Sequence, residues 1–373
     1  MTNVGIIGAG HAGCALAFNL SARGNEVTLR TMAGHPGNTS KILGNNGYLI
    51  ATGLLNGRVS VKVGHGLSQL TESILLIAIP STGIDQVVCE LAGHDLSDKL
   101  LIFITGNSAA IKAHMATNAK AVMETATSPY SSRVSADGSV SFRGIKKRLA
   151  LGVLATEFQQ EDRDKVAAIF PMPVEWCSNI LETFFSALNG IVHVPTALMN
   201  MGWMETTKGD FYFYRQGMSP SVCSVIEALD KERLAVAAAY NVHLRSVAET
   251  YNANYGTNET TLRDFVAKTP AHNSTKGAQK RFITQDVPHW LVLCSELGMR
   301  AGVSTTSIDT MIDLASILTG TDFRSTGNTL KSLGLENATV EEVSRAFRGG
   351  DMCVAPVQAK KAKEAKLQRL AVL

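Results

Sequence analysis

The stretch Thr2-Asn3-Val4-Gly5-Ile6-Ile7-Gly8-Ala9-Gly10-His11-Ala12-Gly13-Cys14-Ala15-Leu16-Ala17-Phe18-Asn19-Leu20 decides how the rest of the chain is read. Val4 to Ile7 is a short apolar run of the kind a buried parallel strand requires. Three glycines follow as Gly8-x-Gly10-x-x-Gly13, and then a segment with small and apolar residues at helical spacing. Gly8 permits a tight turn, Gly10 lets the backbone approach a pyrophosphate, and Gly13 lets the helix pack closely on the strand. The helix N-terminus adds unpaired N–H groups and the positive end of its dipole. Strand, glycine loop and helix in this order predict a dinucleotide-binding half, with Gly8, Gly10, His11, Ala12 and Gly13 around the phosphates.

The 373 residues exceed one typical hydrophobic core, so two domains are expected. Hydrophobic residues make up 45% and charged residues 18%, the composition of a compact globular protein. A net charge of +3 is too small to point to nucleic acid or a membrane surface. The six cysteines show no C-x-x-C pair and no metal-ligand spacing, and read as reduced thiols of a cytoplasmic protein. Residues 1–182 are expected to form the dinucleotide-binding domain and 183–350 a mostly helical domain. The tail, 351–373, carries Lys360, Lys361, Lys363, Lys366 and Arg369 and reads as a solvated basic segment.

Further apolar runs build the first domain: Asn25 to Arg30, Ser73 to Pro80, Leu100 to Ile104, Ala121 to Thr125 and Leu149 to Leu154. Separated by helical stretches, they predict an α/β fold with a doubly wound parallel sheet. Asn46 to Val63 alternates enough to suggest a hairpin. Ligands in such sheets lie beyond the carboxyl ends of the strands, which places Pro80, Gly106 and Asn107 near the cofactor. A site for NAD usually carries an acidic residue at the end of the second strand; here stand Arg30 and Thr31. Basic and hydroxyl groups there suit a 2′-phosphate, so NADPH is the expected cofactor and NADH the alternative.

Beyond residue 180 the apolar spacing becomes helical, most clearly over Pro220 to Ala239, Ser307 to Leu318 and Val340 to Phe347. Within this half, His193 stands in an apolar run, Phe184 to Leu198. Burial alone would depress its pKa, and a lone histidine in such a place is more often a satisfied core residue. A carboxylate aimed at it would reverse that reading. Asp286, in Lys280-Arg281-Phe282-Ile283-Thr284-Gln285-Asp286, is a candidate by polarity. Local reasoning does not bring the two together.

Several segments together resemble the opine dehydrogenase family, which includes octopine and nopaline dehydrogenases. They are the opening fingerprint, the His193 segment, Arg281-x4-Asp286, Thr321-Asp322-Phe323-Arg324, Glu124 to Arg133, Phe211-Tyr212-Phe213-Tyr214 and Asp230-Lys231-Glu232-Arg233. The resemblance runs from residue 3 to about 350. It implies reductive condensation of an L-amino acid with an α-keto acid, pyruvate or 2-oxoglutarate, through an imine. It further implies that His193 is the general acid/base, Asp286 its orienting carboxylate and Arg281 the keto-acid anchor, with Tyr130, Ser131 and Arg133 lining the substrate cleft. A homodimer is the expected oligomer. Rival readings are a ketopantoate-type or other 2-keto-acid reductase and a non-catalytic NADP(H) sensor. The first relies on a lysine near the domain junction, and the His193 segment has none.

Overall fold

The computed structural model describes residues 2–155, 158–269, 275–277 and 280–349. The basic tail lies outside them.

The described residues form twelve strands: β1 Asn3–Ile7, β2 Glu26–Thr31, β3 Tyr48–Gly53, β4 Gly57–Ser60, β5 Lys62–His65, β6 Ile74–Ile77, β7 Leu100–Phe103, β8 Ala121–Thr125, β9 Tyr130–Val134, β10 Val140–Ile145, β11 Leu149–Leu154 and β12 Val174–Trp176. Eight form one sheet in the order β12-β11-β8-β7-β6-β1-β2-β5. Every neighbouring pair is parallel except β8 and β11. Val4 pairs with Val27 on one side and Ile74 on the other, so β1 is central and the chain switches direction beside it. That switch opens a crevice at the carboxyl ends of β1 and β6.

Both faces of this sheet are covered, which is why its strands are apolar throughout rather than alternating. Successive residues still point to opposite faces. Val4, Ile6 and Leu76 pack with Cys14 and Leu16 of helix α1 (His11–Ala22). Ile7, Leu75 and Ile77 pack with Ile84 and Val88 and with the helical half of the chain. The helices that follow α1 in the first half are α2 Thr39–Gly44, α3 Ile84–Leu91, α4 Ala109–Ala116 and α5 Gln160–Ile169.

A second sheet, β4-β3-β10-β9, covers the outer side of α1. The hairpin expected over 46–63 is therefore narrower than its sequence suggests. β3 and β4 form it, while Lys62–His65 rejoins the main sheet beside β2. β9 and β10 were not anticipated, being short and interrupted by polar residues. Tyr130 corrects an expectation. It is 5% exposed, sits edge-on to Phe142 at 5.3 Å between ring centroids, and belongs to the core between α1 and this sheet rather than to a cleft.

After Trp176 the described chain is helical. Helix α6 (Ile180–Ser186) leads to α7 (Asn189–Leu198), α8 (Met201–Thr206) and the long α9 (Pro220–Ala239). α9 begins where its sequence says it should, with Ser219 accepting from the Val222 N–H and proline in the first turn. Buried Arg233 pairs with Asp230 and donates to the Phe185 and Arg245 carbonyls, tying α9 to the end of α6. The Asp230–Arg233 motif is thus structural.

One packing decision places the site. The Trp290 indole stacks on Phe184 at 5.3 Å and donates to its carbonyl at 2.9 Å. It lies so close to Gly190 that a Cβ there would stand 2.5 Å from the ring. Absence of a side chain at Gly190 lets α7 press against the π-helical turn Val287–Leu291. His193, one turn along α7, is thereby set opposite Asp286.

Candidate active site

The glycine loop has the form a phosphate cradle needs. Gly8 sits at φ +112°, and a Cβ at Gly13 would stand 1.8 Å from the Gly8 carbonyl. At Gly10 nothing lies within 4 Å of an added Cβ. The first-turn amides of His11, Ala12 and Gly13 open onto that space, which fits the pyrophosphate of a dinucleotide.

Arg30 departs from its expected role. It is 9% exposed, and its guanidinium grips Glu72 with Nε–Oε1 3.0 Å and Nη2–Oε2 3.1 Å while donating to the Gln69 carbonyl at 2.9 Å. A guanidinium spent on a buried carboxylate is not presented to a ribose phosphate. Thr31 is also buried, its hydroxyl 3.4 Å from His65 Nδ1. Removing one partner of such a pair strands a charge in the interior. Arg30→Ala is expected to cost about 3–5 kcal/mol in denaturant unfolding without changing the NADPH-to-NADH preference. A change in that preference with full stability would restore Arg30 as a phosphate contact.

At the crevice rim, Pro80 leads into the turn Ser81–Gly83, and Asn107 donates to Ser81 Oγ at 3.2 Å. Thr105, Asn107 and Ser108 all have positive φ, at 61°, 50° and 70°. Such strain in non-glycine residues persists only where surroundings enforce it. Here Glu124 does so, accepting from the Ser108 and Ala110 amides at 3.2 and 3.0 Å. Its full burial pushes its pKa up to about 7 despite those two bonds. Asn107 Oδ1 is buried with no partner among the described residues. From the helical half, Asn328 donates to the Asn107 carbonyl at 3.3 Å, so the two halves meet at this loop.

The residues that local reading left apart come together. His193 Nδ1 is 2.8 Å from Asp286 Oδ2 across 93 positions of sequence. Its Nε2 is 2.8 Å from the Tyr214 hydroxyl. Asp286 as a carboxylate only accepts, which puts the imidazole proton on Nδ1 and leaves Nε2 to accept from Tyr214. Burial raises the Tyr214 pKa, keeping its proton in place. In sequence Tyr212, Phe213 and Tyr214 read equally as core, wall or contact, and the structure makes Tyr214 a contact of His193. Phe282 stacks on the His193 ring at 4.1 Å, and the Arg281 guanidinium lies 5.2 Å from the other ring of that column, Phe282.

Across the cleft, β9 is stitched to the glycine loop. The Val134 N–H donates to His11 Nδ1 at 2.9 Å, and Ser132 Oγ to the His11 carbonyl at 3.3 Å. With Nδ1 accepting, the neutral His11 ring carries its proton on Nε2. Burial lowers the His11 pKa, reinforced by Arg133, Arg281, Lys41 and Arg143. Arg133 is partly buried and Ser131 exposed on the same strand. Arg143 had escaped notice in the sequence.

A phosphate-loop half and a helical half that carries an Asp–His–Tyr chain are the parts a nicotinamide-dependent dehydrogenase requires. Residues 176–319 match the family described as NAD/NADP octopine/nopaline dehydrogenase, alpha-helical domain. The opine dehydrogenase of Arthrobacter sp. (strain 1C) is 28% identical over 354 residues, covering 91% of this chain and 97% of that protein. The D-nopaline dehydrogenase of Agrobacterium vitis is 29% identical over 311 residues, 72% of this chain and 74% of its own. A solved octopine dehydrogenase with NADH and L-arginine superposes with a TM-score of 0.71 at 14% identity, over 94% of this chain and 99% of its own. The helical half therefore belongs to the octopine/nopaline dehydrogenase family, and the chain is an NAD(P)-dependent oxidoreductase of the opine dehydrogenase type.

Proposed function

We propose that this enzyme joins the amine of an L-amino acid to the carbonyl of an α-keto acid and reduces the product to a secondary amine carrying both carboxylates. Amine and carbonyl condense with loss of water to an imine, and bound NAD(P)H supplies the hydride that reduces it. The observation that carries this reading is the Asp286–His193–Tyr214 chain at the junction of the two halves. His193 Nε2 takes a proton from the incoming ammonium group and returns one to the carbinolamine oxygen as it leaves. Asp286 holds the ring in the required tautomer and stabilises the imidazolium. Tyr214 is the proton's path between His193 and the substrate, and Arg281 grips the keto-acid carboxylate. Asn107 Oδ1, without a partner among the described residues, would accept a hydrogen bond from the nicotinamide half of the cofactor when that is bound.

NADPH is the preferred form in this reading. No carboxylate lies between Thr31 and Ser40 to repel a 2′-phosphate, and His35 is exposed in that loop. Fluorescence titration checks it, equal affinity for NADH being the contrary result.

The enzyme's cofactor consumption, followed by absorbance across a grid of L-amino acids and keto acids, tests the reaction. Turnover that requires both an amine and a keto acid supports it. Turnover with a keto acid alone makes the protein a hydroxy-acid reductase instead. Tyr214→Phe is expected to lower kcat about 10- to 100-fold with cofactor affinity unchanged, since the general-acid path is cut while the ring stays packed. An unaltered kcat would leave Tyr214 as a wall of the site.

A further inference from the structure

We infer that Asn328 is a positioning residue of the reaction: it ties the peptide of Asn107, at the rim of the cofactor crevice, to the turn that carries Asp286. It thereby sets the hydride donor and the proton-handling pair in one register about the substrate. The inference rests on the reaction proposed above and adds a residue to it.

The loop after β7 needs support from outside. Thr105, Asn107 and Ser108 stand at positive φ, which residues with a Cβ keep only where neighbours enforce it. Glu124 does so from within the first half, through the Ser108 and Ala110 amides. Ser81, 3.2 Å from Asn107 Nδ2, fixes the plane of that side-chain amide and with it Oδ1, the atom assigned above to the nicotinamide. The main chain of the same residue is held from the opposite half. Asn328 Nδ2 donates to the Asn107 carbonyl at 3.3 Å and to Ser108 Oγ at 3.4 Å.

On its other side Asn328 is fastened to the catalytic turn. Its N–H donates at 2.7 Å to the carbonyl of Pro288, two residues past Asp286. A Cβ at Gly327 would stand 2.6 Å from that same carbonyl, so the chain lies flat against the turn here. His289, from the same turn, meets the Asn328 side chain and feels the charges of Asp85 and Lys112, which pair at 2.7 Å in the first half. With Nδ2 given to Asn107 and Ser108, Oδ1 is the atom left for His289. Asn107, Ser108, Asn328 and Asp286 are all buried, so water is not at hand to replace a lost donor. Asn107, Asn328 and Pro288 thus form a short hydrogen-bonded path from the atom that meets the nicotinamide to the carboxylate that orients His193. Hydride and proton must reach one substrate, and a misplacement of about 1 Å between their donors costs on the order of 100-fold in rate.

A residue that merely closes the interface would lower the folded fraction and leave the rate constant of each folded molecule alone. Single-turnover kinetics of the full chain separate the two roles. Enzyme loaded with NADPH is mixed with the amine and keto acid that turn over best, and the decay of NADPH absorbance gives a first-order constant independent of the fraction of active protein. Asn328→Ala is expected to lower that constant about 10- to 100-fold while NADPH affinity changes less than about threefold. Asn328→Asp keeps the size and the acceptor toward His289 but loses the Nδ2 donor; it should fall as far, and it serves where the alanine variant folds poorly. If Asn328 acts through Asn107, the double variant Asn107→Ala/Asn328→Ala should be no more than about twofold slower than the slower single variant. A wild-type constant in Asn328→Asp overturns the inference. So does a lowered melting temperature with an unchanged constant, a loss confined to NADPH affinity, or losses that multiply in the double variant. Where a keto acid is reduced without any amine, the opine-forming reading falls and the same comparison is made on that reduction. Absence of turnover with every pair overturns both.

Discussion

His193→Ala is expected to lower kcat and kcat/KM by about 10²–10⁴-fold, the range over which a positioned general acid/base accelerates proton transfer. The condensation needs the ammonium deprotonated and the carbinolamine oxygen protonated. In the mechanism proposed above His193 Nε2, through the Tyr214 hydroxyl 2.8 Å away, serves both. Equal losses in kcat and kcat/KM would mark an interaction made in the transition state alone. NADPH affinity should hold, since the cradle at Gly8 to Gly13 belongs to the other half of the chain. That affinity also serves as the check that the variant has folded. Near wild-type turnover would remove His193 from the chemistry.

The second large effect is expected from Asp286→Asn, again about 10²–10⁴-fold in kcat. The exchange keeps size and shape, so KM and unfolding midpoint should move little. What changes is the proton. The Asp286 carboxylate, 2.8 Å from Nδ1, accepts and thereby directs the imidazole proton to that atom. An asparagine amide can donate in the same place, which drives the proton to Nε2 and leaves the ring facing Tyr214 as a donor where a base is required. It also removes the negative charge that stabilises the imidazolium. Asp286 is only 7% exposed, so solvent does not make good that loss. A variant with full activity would show that the pair is structural.

Much of the first half was legible because its determinants are local. The apolar runs at β1, β6, β7 and β8 and the glycine spacing after β1 report burial on both faces and the steric needs of one turn. His193, Arg281 and Asp286 were singled out through context and family resemblance. Where residues meet partners far along the chain, local reading went astray. Arg30 looked like a phosphate contact because Glu72, 42 positions on, could not be seen to claim it. Tyr130 looked like a cleft residue because β10, which brings Phe142 onto its ring, is too short and polar to announce itself.

The sequence by itself determined a dinucleotide cradle, a doubly wound sheet and a helical second half, since each follows from periodicity or from the conformational range of a few neighbouring residues. The tertiary structure alone decided which side chains share a proton and which share a charge. Close packing of Gly190 under Trp290 set His193 against Asp286, and the pairing of Arg30 with Glu72 took that guanidinium into the interior. Those are contacts between surfaces, and surfaces exist only once the chain has packed.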